Sequence, residues 1–398
     1  MEIVALIYKI ICFTIYGYFG ISVLYIAVLA IAGNFNYRPK IKDHGSVARI
    51  AVLIPGYKED EVIVEVASDA LRQEYHQKSY EVFVIADSFD QRTVDKLAEL
   101  PVQVIPVHFE NSTKAKSINF ALHELSDRDF ELAVILDADN VMAPDFLKYV
   151  NRAFQNGYKA IQGHRTAKNK NTPFAVLDAA NEEINNHFFR KAHRVLGMSS
   201  GLIGSAMAFE INYFREIMSS INDVAGEDKE IELKILKDKV TIEYLEDAYV
   251  YDEKVQNAQV FSRQRTRWIA SQVYYFKNYM MAGIRDLILK GNIDFFDKAF
   301  QTFIPPRILM LGALTFLTAG AYFIKIWPGF EFWAILLAAN VFSLFVALPF
   351  KFYNKDLLRA LINIPKAFFY MLKALFSIKG ADKKFIHTPH TSSDNLKP

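Results

Sequence analysis

Apolar positions fall into two kinds of run along this chain. Ile3 to Ala32 is almost continuously apolar, with Glu2 and Lys9 as its only early charges. Ile308 to Ile324 and Phe330 to Leu348 repeat that pattern near the other end. A membrane-spanning helix needs about 20 apolar residues, which predicts three spans. Between them the runs are short and alternate with amphipathic stretches. Ile50 to Ile54, Tyr80 to Ala86, Val102 to Val107 and Leu132 to Leu136 read as buried strands. Glu59 to Leu71, Arg92 to Glu99 and Lys114 to Leu125 read as the helices between them. Pro55-Gly56 is expected to stop the first strand. Strands alternating with helices predict an α/β domain with a mostly parallel, doubly wound sheet.

The first run competes with a cleaved signal peptide, since Ala30-Ile31-Ala32 looks like a cleavage site. It is longer than the roughly 7–15 apolar residues of a signal peptide and lacks a basic start, which favours an uncleaved anchor. Arg38, Lys40 and Lys42 follow it directly, and Lys351, Lys355 and Arg359 follow the last span. Both clusters place the middle of the chain on the cytosolic side. Trp327-Pro328-Gly329 reads as a tight outer turn, with Lys325 snorkelling beside it. Ile364 to Ile378 is apolar on one broad face but carries Lys366 and Lys373, so it is expected to lie in the interface. Tyr274 to Lys290 and Asp294 to Phe303 fit interface or core equally well.

Composition adds limits. The chain has 398 residues, 52% hydrophobic and 14% aromatic, with the apolar excess at its ends. A net charge of +2 gives no global attraction to nucleic acid. The single cysteine, Cys12, excludes an intramolecular disulfide. The last dozen residues read as a tail.

Ligands in doubly wound sheets bind beyond the carboxyl ends of the strands. Pro55-Gly56-Tyr57, Asp87 and Asp137-Ala138-Asp139 all fall at that edge. An acidic pair there is common turn chemistry. It also suits Mg²⁺ or Mn²⁺, which take oxygen ligands and substrate phosphates. Asp87 reads as an acceptor for a nucleobase or ribose, and Asp90 as the cap of the next helix. Glu227-Asp228 opens a helical stretch, where acids are favoured by the dipole, or where Asp228 serves as a general base. In Gln264-x-x-Arg267-Trp268 the indole is either a membrane anchor stacked with arginine or a platform for a sugar ring. Arg267 suits a phosphate. Lys114, at a helix start, is a second phosphate contact or plain surface.

These motifs, in this order, resemble the membrane-embedded family 2 glycosyltransferases, the group of cellulose, chitin and hyaluronan synthases. The opening Pro55-Gly56-Tyr57-Lys58-Glu59 is similar to P-x-Y-N-E, with lysine for asparagine. Asp87, Asp139 and Asp228 match the first aspartate, the metal aspartate and the catalytic base. Gln264, Arg267 and Trp268 match Q-x-x-R-W. Lys114 to Asn119 resembles G-K-x-x-A-L-N, with Thr113 for glycine. Gly204 and Ser205 begin a stretch resembling the acceptor loop, and His387-Thr388-Pro389-His390 resembles the basic segment after the last interfacial helix.

The resemblance implies a GT-A fold, a UDP-sugar donor, Mg²⁺ or Mn²⁺ and inversion at the anomeric carbon. It implies Asp228 as base and Asp139 as metal ligand. Donor contacts fall to Pro55, Tyr57, Glu59, Asp87, Lys114, Asp137, Gln264 and Arg267. Acceptor contacts fall to Gly204, Ser205, Glu227 and Trp268. The expected plan is an anchor at 1–36 and a cytosolic GT-A domain at 37–265. Interfacial helices follow at 266–305, two spans at 306–352, and an interfacial helix with tail at 353–398. The expected product is a polysaccharide made at the cytosolic face of the inner membrane. A glycolipid synthase adding one sugar to a lipid is the alternative. Three spans are few for a polymer channel, so a polymer needs a homo-oligomer or an export partner. A non-catalytic scaffold fits poorly with so complete a set of acids.

Overall fold

The computed structural model describes residues 2–221, 226–256 and 258–377. The apolar runs of the middle form parallel strands β1 (Ile50–Tyr57), β2 (Tyr80–Asp87), β3 (Gln103–Val107) and β4 (Leu132–Ile135). Helices α1 (Glu2–Ala32), α2 (Ile63–Ala70), α3 (Gln91–Ala98) and α4 (Lys114–Glu124) precede and connect them. Side chains alternate across the sheet: Ile50, Val52 and Ile54 enter one core, and Ala51 and Leu53 the other.

Two strand and helix limits differ from expectation. β1 runs through Pro55 and Gly56 to Tyr57, pairing with β2 throughout. Leu53 turns its carbonyl toward β4, where Leu136 N–H donates at 3.1 Å. Pro55 faces the same side two residues on, where β4 has ended, so its missing N–H breaks no ladder. α2 starts at Ile63, because Lys58 takes a left-handed φ of 55° and the chain turns before the helix begins.

The sheet continues in the order β3-β2-β1-β4-β7-β6-β8-β5. The added strands are β5 (Val141–Met142), β6 (Ala160–Ala167), β7 (Met207–Glu210) and β8 (Ile242–Asp252). β6 and β8 are parallel; β7 and β5 run against their neighbours. The helices here are α5 (Phe146–Gln155), α6 (Pro173–Asn186), α7 (His193–Val195), α8 (Ile211–Met218) and α9 (Glu227–Lys237). A π-helical turn, His187–Ala192, joins α6 to α7.

The chain then becomes helical: α10 (Ala258–Lys290), α11 (Ile293–Gln301), α12 (Arg307–Ile324), α13 (Phe330–Ala347), α14 (Lys355–Leu361) and α15 (Ile364–Phe376). Among the described residues three helices are long and apolar enough to cross a membrane: Leu6–Ala32, α12 and α13. They pack through Ile26, Leu29, Met310, Leu314 and Trp333, and present Phe13, Leu24, Phe316, Phe323 and Phe342 outward. Outward aromatic and aliphatic surface on this scale suits lipid. The Gln264-to-Trp268 motif and the stretch from Tyr274 form one continuous helix, α10. α10 buries Tyr275 and exposes Met281, Ile288 and Leu289. The apolar face expected of α15 is split, with Met371 packed inward and Phe369 and Phe376 exposed. His387 to His390 lie outside the described residues.

α1 is bonded into the rest of the fold. His187 Nε2 lies 2.9 Å from the Ala30 carbonyl, one of the orphan acceptors of the helix end. The imidazole stands where a Cβ on Gly33 would be, 2.4 Å from it, so only glycine fits. Tyr18 donates to the Phe303 carbonyl at 3.0 Å, and Tyr25 to Asp297 of α11 at 2.8 Å.

Candidate active site

Strands end at the carboxyl edge and leave acids there. Asp137 and Asp139 follow β4, and Asp252 closes β8. One oxygen from each of the three lies within 4.8 Å of the others. Asn140 organises the group: its Nδ2 donates to Asp139 Oδ1 at 3.1 Å and to Asp252 Oδ1 at 3.0 Å. The Glu253 N–H donates to Asp139 Oδ2 at 2.9 Å.

Cations stand behind this trio. Lys114 pairs with Asp137. Arg165, from β6, reaches Asp137 at 3.6 Å and Asp252 at 3.7 Å, and pairs with Glu182 at 3.1 Å. Lys254 bridges Asp252 at 2.6 Å and Glu182 at 2.9 Å. Burial opposes a charge on Glu182, but Arg165, Lys254 and Arg190 outweigh it and hold the carboxyl far below its usual range. Asp252, Arg165, Lys254 and Glu182 were absent from the sequence reading. The signal for Asp252 was present, an acid ending the alternating run Ile242 to Asp252; Arg165 and Lys254 carry no motif.

Opposite the trio, α9 begins after Gly226, whose φ of 99° is a left-handed turn that glycine permits. Tyr275 of α10 donates to the Gly226 carbonyl at 2.9 Å and fixes that turn. Glu227 and Asp228 form the first helical turn. Burial pushes the pKa of both carboxyls up; Lys114 opposes this most at Glu227 and Lys229 most at Asp228. Arg267 acts on Glu227 from α10. Gly204 lies against Asp228, so that a Cβ there would be 3.7 Å from Oδ2. Lys114 Nζ donates to the Gly204 carbonyl at 2.6 Å. One lysine thus touches both the acidic trio and the loop beside Asp228.

The remaining expected residues are distributed unevenly. Tyr57 ends β1, with Lys58 Nζ 5.3 Å from its ring centre, and Glu59 is buried. Asp87 is buried; its Oδ1 accepts from Ser88 Oγ at 2.9 Å, and Oδ2 has no protein partner. Asp90 precedes α3 but makes no side-chain cap. Instead its N–H is held by Asp60 at 2.9 Å. Ser205 is fully buried and its hydroxyl accepts from Arg165 at 3.2 Å. Gln264 Oε1 is buried without a hydrogen-bond partner. Trp268 is 42% exposed, and Arg265, paired with Asp178, stacks 3.9 Å over its ring.

A sheet of this order with an acidic trio at its carboxyl edge defines a GT-A-like α/β fold. The chain belongs to the glycosyltransferase-like family 2, whose family model matches residues 48–271, more than half of its length. It is 25% identical over 262 residues to a beta-monoglucosyldiacylglycerol synthase from Nostoc sp.. It is 25% identical over 253 residues to the protein of that name from Trichormus variabilis. These matches cover 65% and 63% of this chain, and 54% and 53% of those proteins. The chain thus spans about half the length of the curated relatives it matches. Among solved structures, a mannosyltransferase from Pyrobaculum calidifontis in complex with GDP-mannose and Mn²⁺ superposes with a TM-score of 0.61 at 18% identity. That match covers 94% of this chain and 99% of the other.

Proposed function

We infer that this protein is a membrane-bound transferase that moves one sugar from a UDP-sugar to a lipid hydroxyl at the cytosolic face. The observation that carries the reading is the placement of Asp228 across Lys114 from the acidic trio, in a body packed on three apolar helices. The glycolipid synthases among the relatives support a lipid acceptor over the polysaccharide that the synthase resemblance implies. A single-sugar lipid product also needs no channel, oligomer or export partner.

The trio fits a hard divalent cation: three carboxylates, two of them buried, with one oxygen from each within 4.8 Å of the others. Asp137, Asp139 and Asp252 would hold Mg²⁺ or Mn²⁺, which neutralises charge on a diphosphate when bound. The chain supplies the rest. Lys114 and Arg267 add positive charge on the Glu227 side of the site. Asp228 accepts the proton of the attacking hydroxyl, and attack opposite the leaving diphosphate inverts the anomeric carbon. Trp268 offers its uncovered face to the acceptor.

The test uses full-length protein in phosphatidylcholine vesicles containing diacylglycerol, with labelled UDP-glucose, UDP-galactose, UDP-N-acetylglucosamine and GDP-mannose. The expected result is one UDP-sugar incorporated into a lipid carrying a single residue. Products that lengthen with time, or preference for GDP-mannose, would overturn the acceptor or the donor assignment respectively.

A further inference from the structure

α11 is a bracket between the membrane helix and the helix of the candidate base. On one side Asp297 accepts from Tyr25 of α1 at 2.8 Å, pairs with His193 at 2.9 Å and accepts from Gln301 at 2.8 Å. On the other side Asn292 donates to the Leu236 carbonyl at the end of α9 at 2.8 Å. Asp294 accepts from the Ser199 hydroxyl at 2.7 Å and its N–H at 3.0 Å, tying down the loop that leads to Gly204.

The middle of α11 contributes Lys298, which is 1% exposed. Its Nζ lies 3.3 Å from Glu232 Oε1, an ion pair outside hydrogen-bond geometry. Glu232 is fully buried on α9, one turn after Asp228, and also pairs with Lys229. The backbone at Gly201 lies against the pair: a Cβ there would be 3.4 Å from Lys298 Nζ and 3.5 Å from Glu232 Oε1. A buried, incompletely bonded cation is costly to keep. A well-packed apolar side chain would serve packing alone as well or better. Here the cation stands behind Glu232, a carboxylate one helical turn from Asp228 that acts on it.

We propose that Lys298 is a positioning residue for Asp228: through Glu232 it holds the first turn of α9 against the acceptor loop and balances the charge beside the base. The inference rests on the assignment of Asp228 as base. Charges facing Asp228 are Glu227, Lys229 and Glu232 on its own helix and Lys114 on α4, with the Tyr275 hydroxyl on α10. Lys298 acts on it through Glu232; burial opposes a charge there, but Lys229 and Lys298 together outweigh it and hold the carboxyl below its usual range.

The test is the pH profile of transfer from UDP-glucose to diacylglycerol in vesicles, with full-length protein. Lys298→Met removes one of the two cations paired with Glu232, so the acid limb should move up, on the order of one pH unit for charges one helical turn apart. Glu232→Gln removes that charge, so the limb should move down. The double variant should return close to the wild-type position, and Lys298→Arg should not move it. Limbs that coincide in all variants, or move in one direction, overturn the proposal. If Lys298→Met does not fold, the near-isosteric Glu232→Gln decides alone: a downward shift supports the proposal and no shift overturns it. Asp228→Asn separates the two levels. If it transfers sugar normally, the base assignment fails; if it is inactive but the limb stays fixed, only the role of Lys298 fails.

Discussion

Asp228 stands in the first turn of α9 behind a left-handed glycine, and burial raises the pH at which its carboxyl ionises. A base acts only when deprotonated. Transfer should therefore be lost as pH falls through a value above the usual carboxylate range. Because Glu227 adjoins it, that acid limb belongs to the pair. Asp228→Asn should lower transfer about 100- to 10,000-fold while UDP binding, followed by calorimetry, stays near wild type. Asp139→Ala should instead weaken UDP binding and transfer together, and EDTA should reproduce that loss in the wild-type protein; activity indifferent to EDTA would exclude a metal at the trio. At this scale the sequence shows acids well, because acids at strand ends stand out from apolar runs. It hides Arg165 and Lys254. They act from inside the fold, where only the pairing of β6 with β8 brings them under the trio.

Helix α10 carries the Gln264-to-Trp268 motif and the Tyr275 contact that fixes the Gly226 turn. Trp268→Ala should cut transfer to lipid more than hydrolysis of UDP-sugar by water. A misplaced acceptor hydroxyl can cost about 100-fold, whereas water needs no platform. UDP release with and without acceptor, at matched folded protein, measures the difference. An equal fall in both rates, with lower thermal stability, would reduce Trp268 to a stacking partner of Arg265. The strands and helices up to Leu136 were legible from periodicity, because both cores recruit alternate residues of the same apolar runs. The length of β1 was not, since the tolerance of Pro55 depends on where a neighbouring strand ends. Nor was the split face of α15, whose inward side is set by Ile269 and Leu309.

For the whole molecule, the basic clusters after α1 and α13 predict the catalytic body on the cytosolic side. Cysteines placed at Ser46 and at Lys325, both exposed, should react oppositely with an impermeant reagent in intact cells, once Cys12 is replaced by alanine. Lys325→Cys should label and Ser46→Cys should not. The apolar ends were plain in the sequence; their union with the α/β domain was not, because it runs through single hydrogen bonds and a small core shared by segments far apart in the chain. His187, Tyr25 and Tyr18 join the first helix to the body at three levels. Its residues Ile26 and Leu29 share a core with Phe188 and Ala192. The first helix is therefore masonry rather than a mooring line. A shortened protein lacking residues 1–36, made in the hope of a soluble enzyme, should leave Phe188, Ala192 and the Asp297–His193 pair open to water. It should aggregate or melt at lower temperature even in detergent, and supplying the missing segment as a separate peptide should restore part of what was lost.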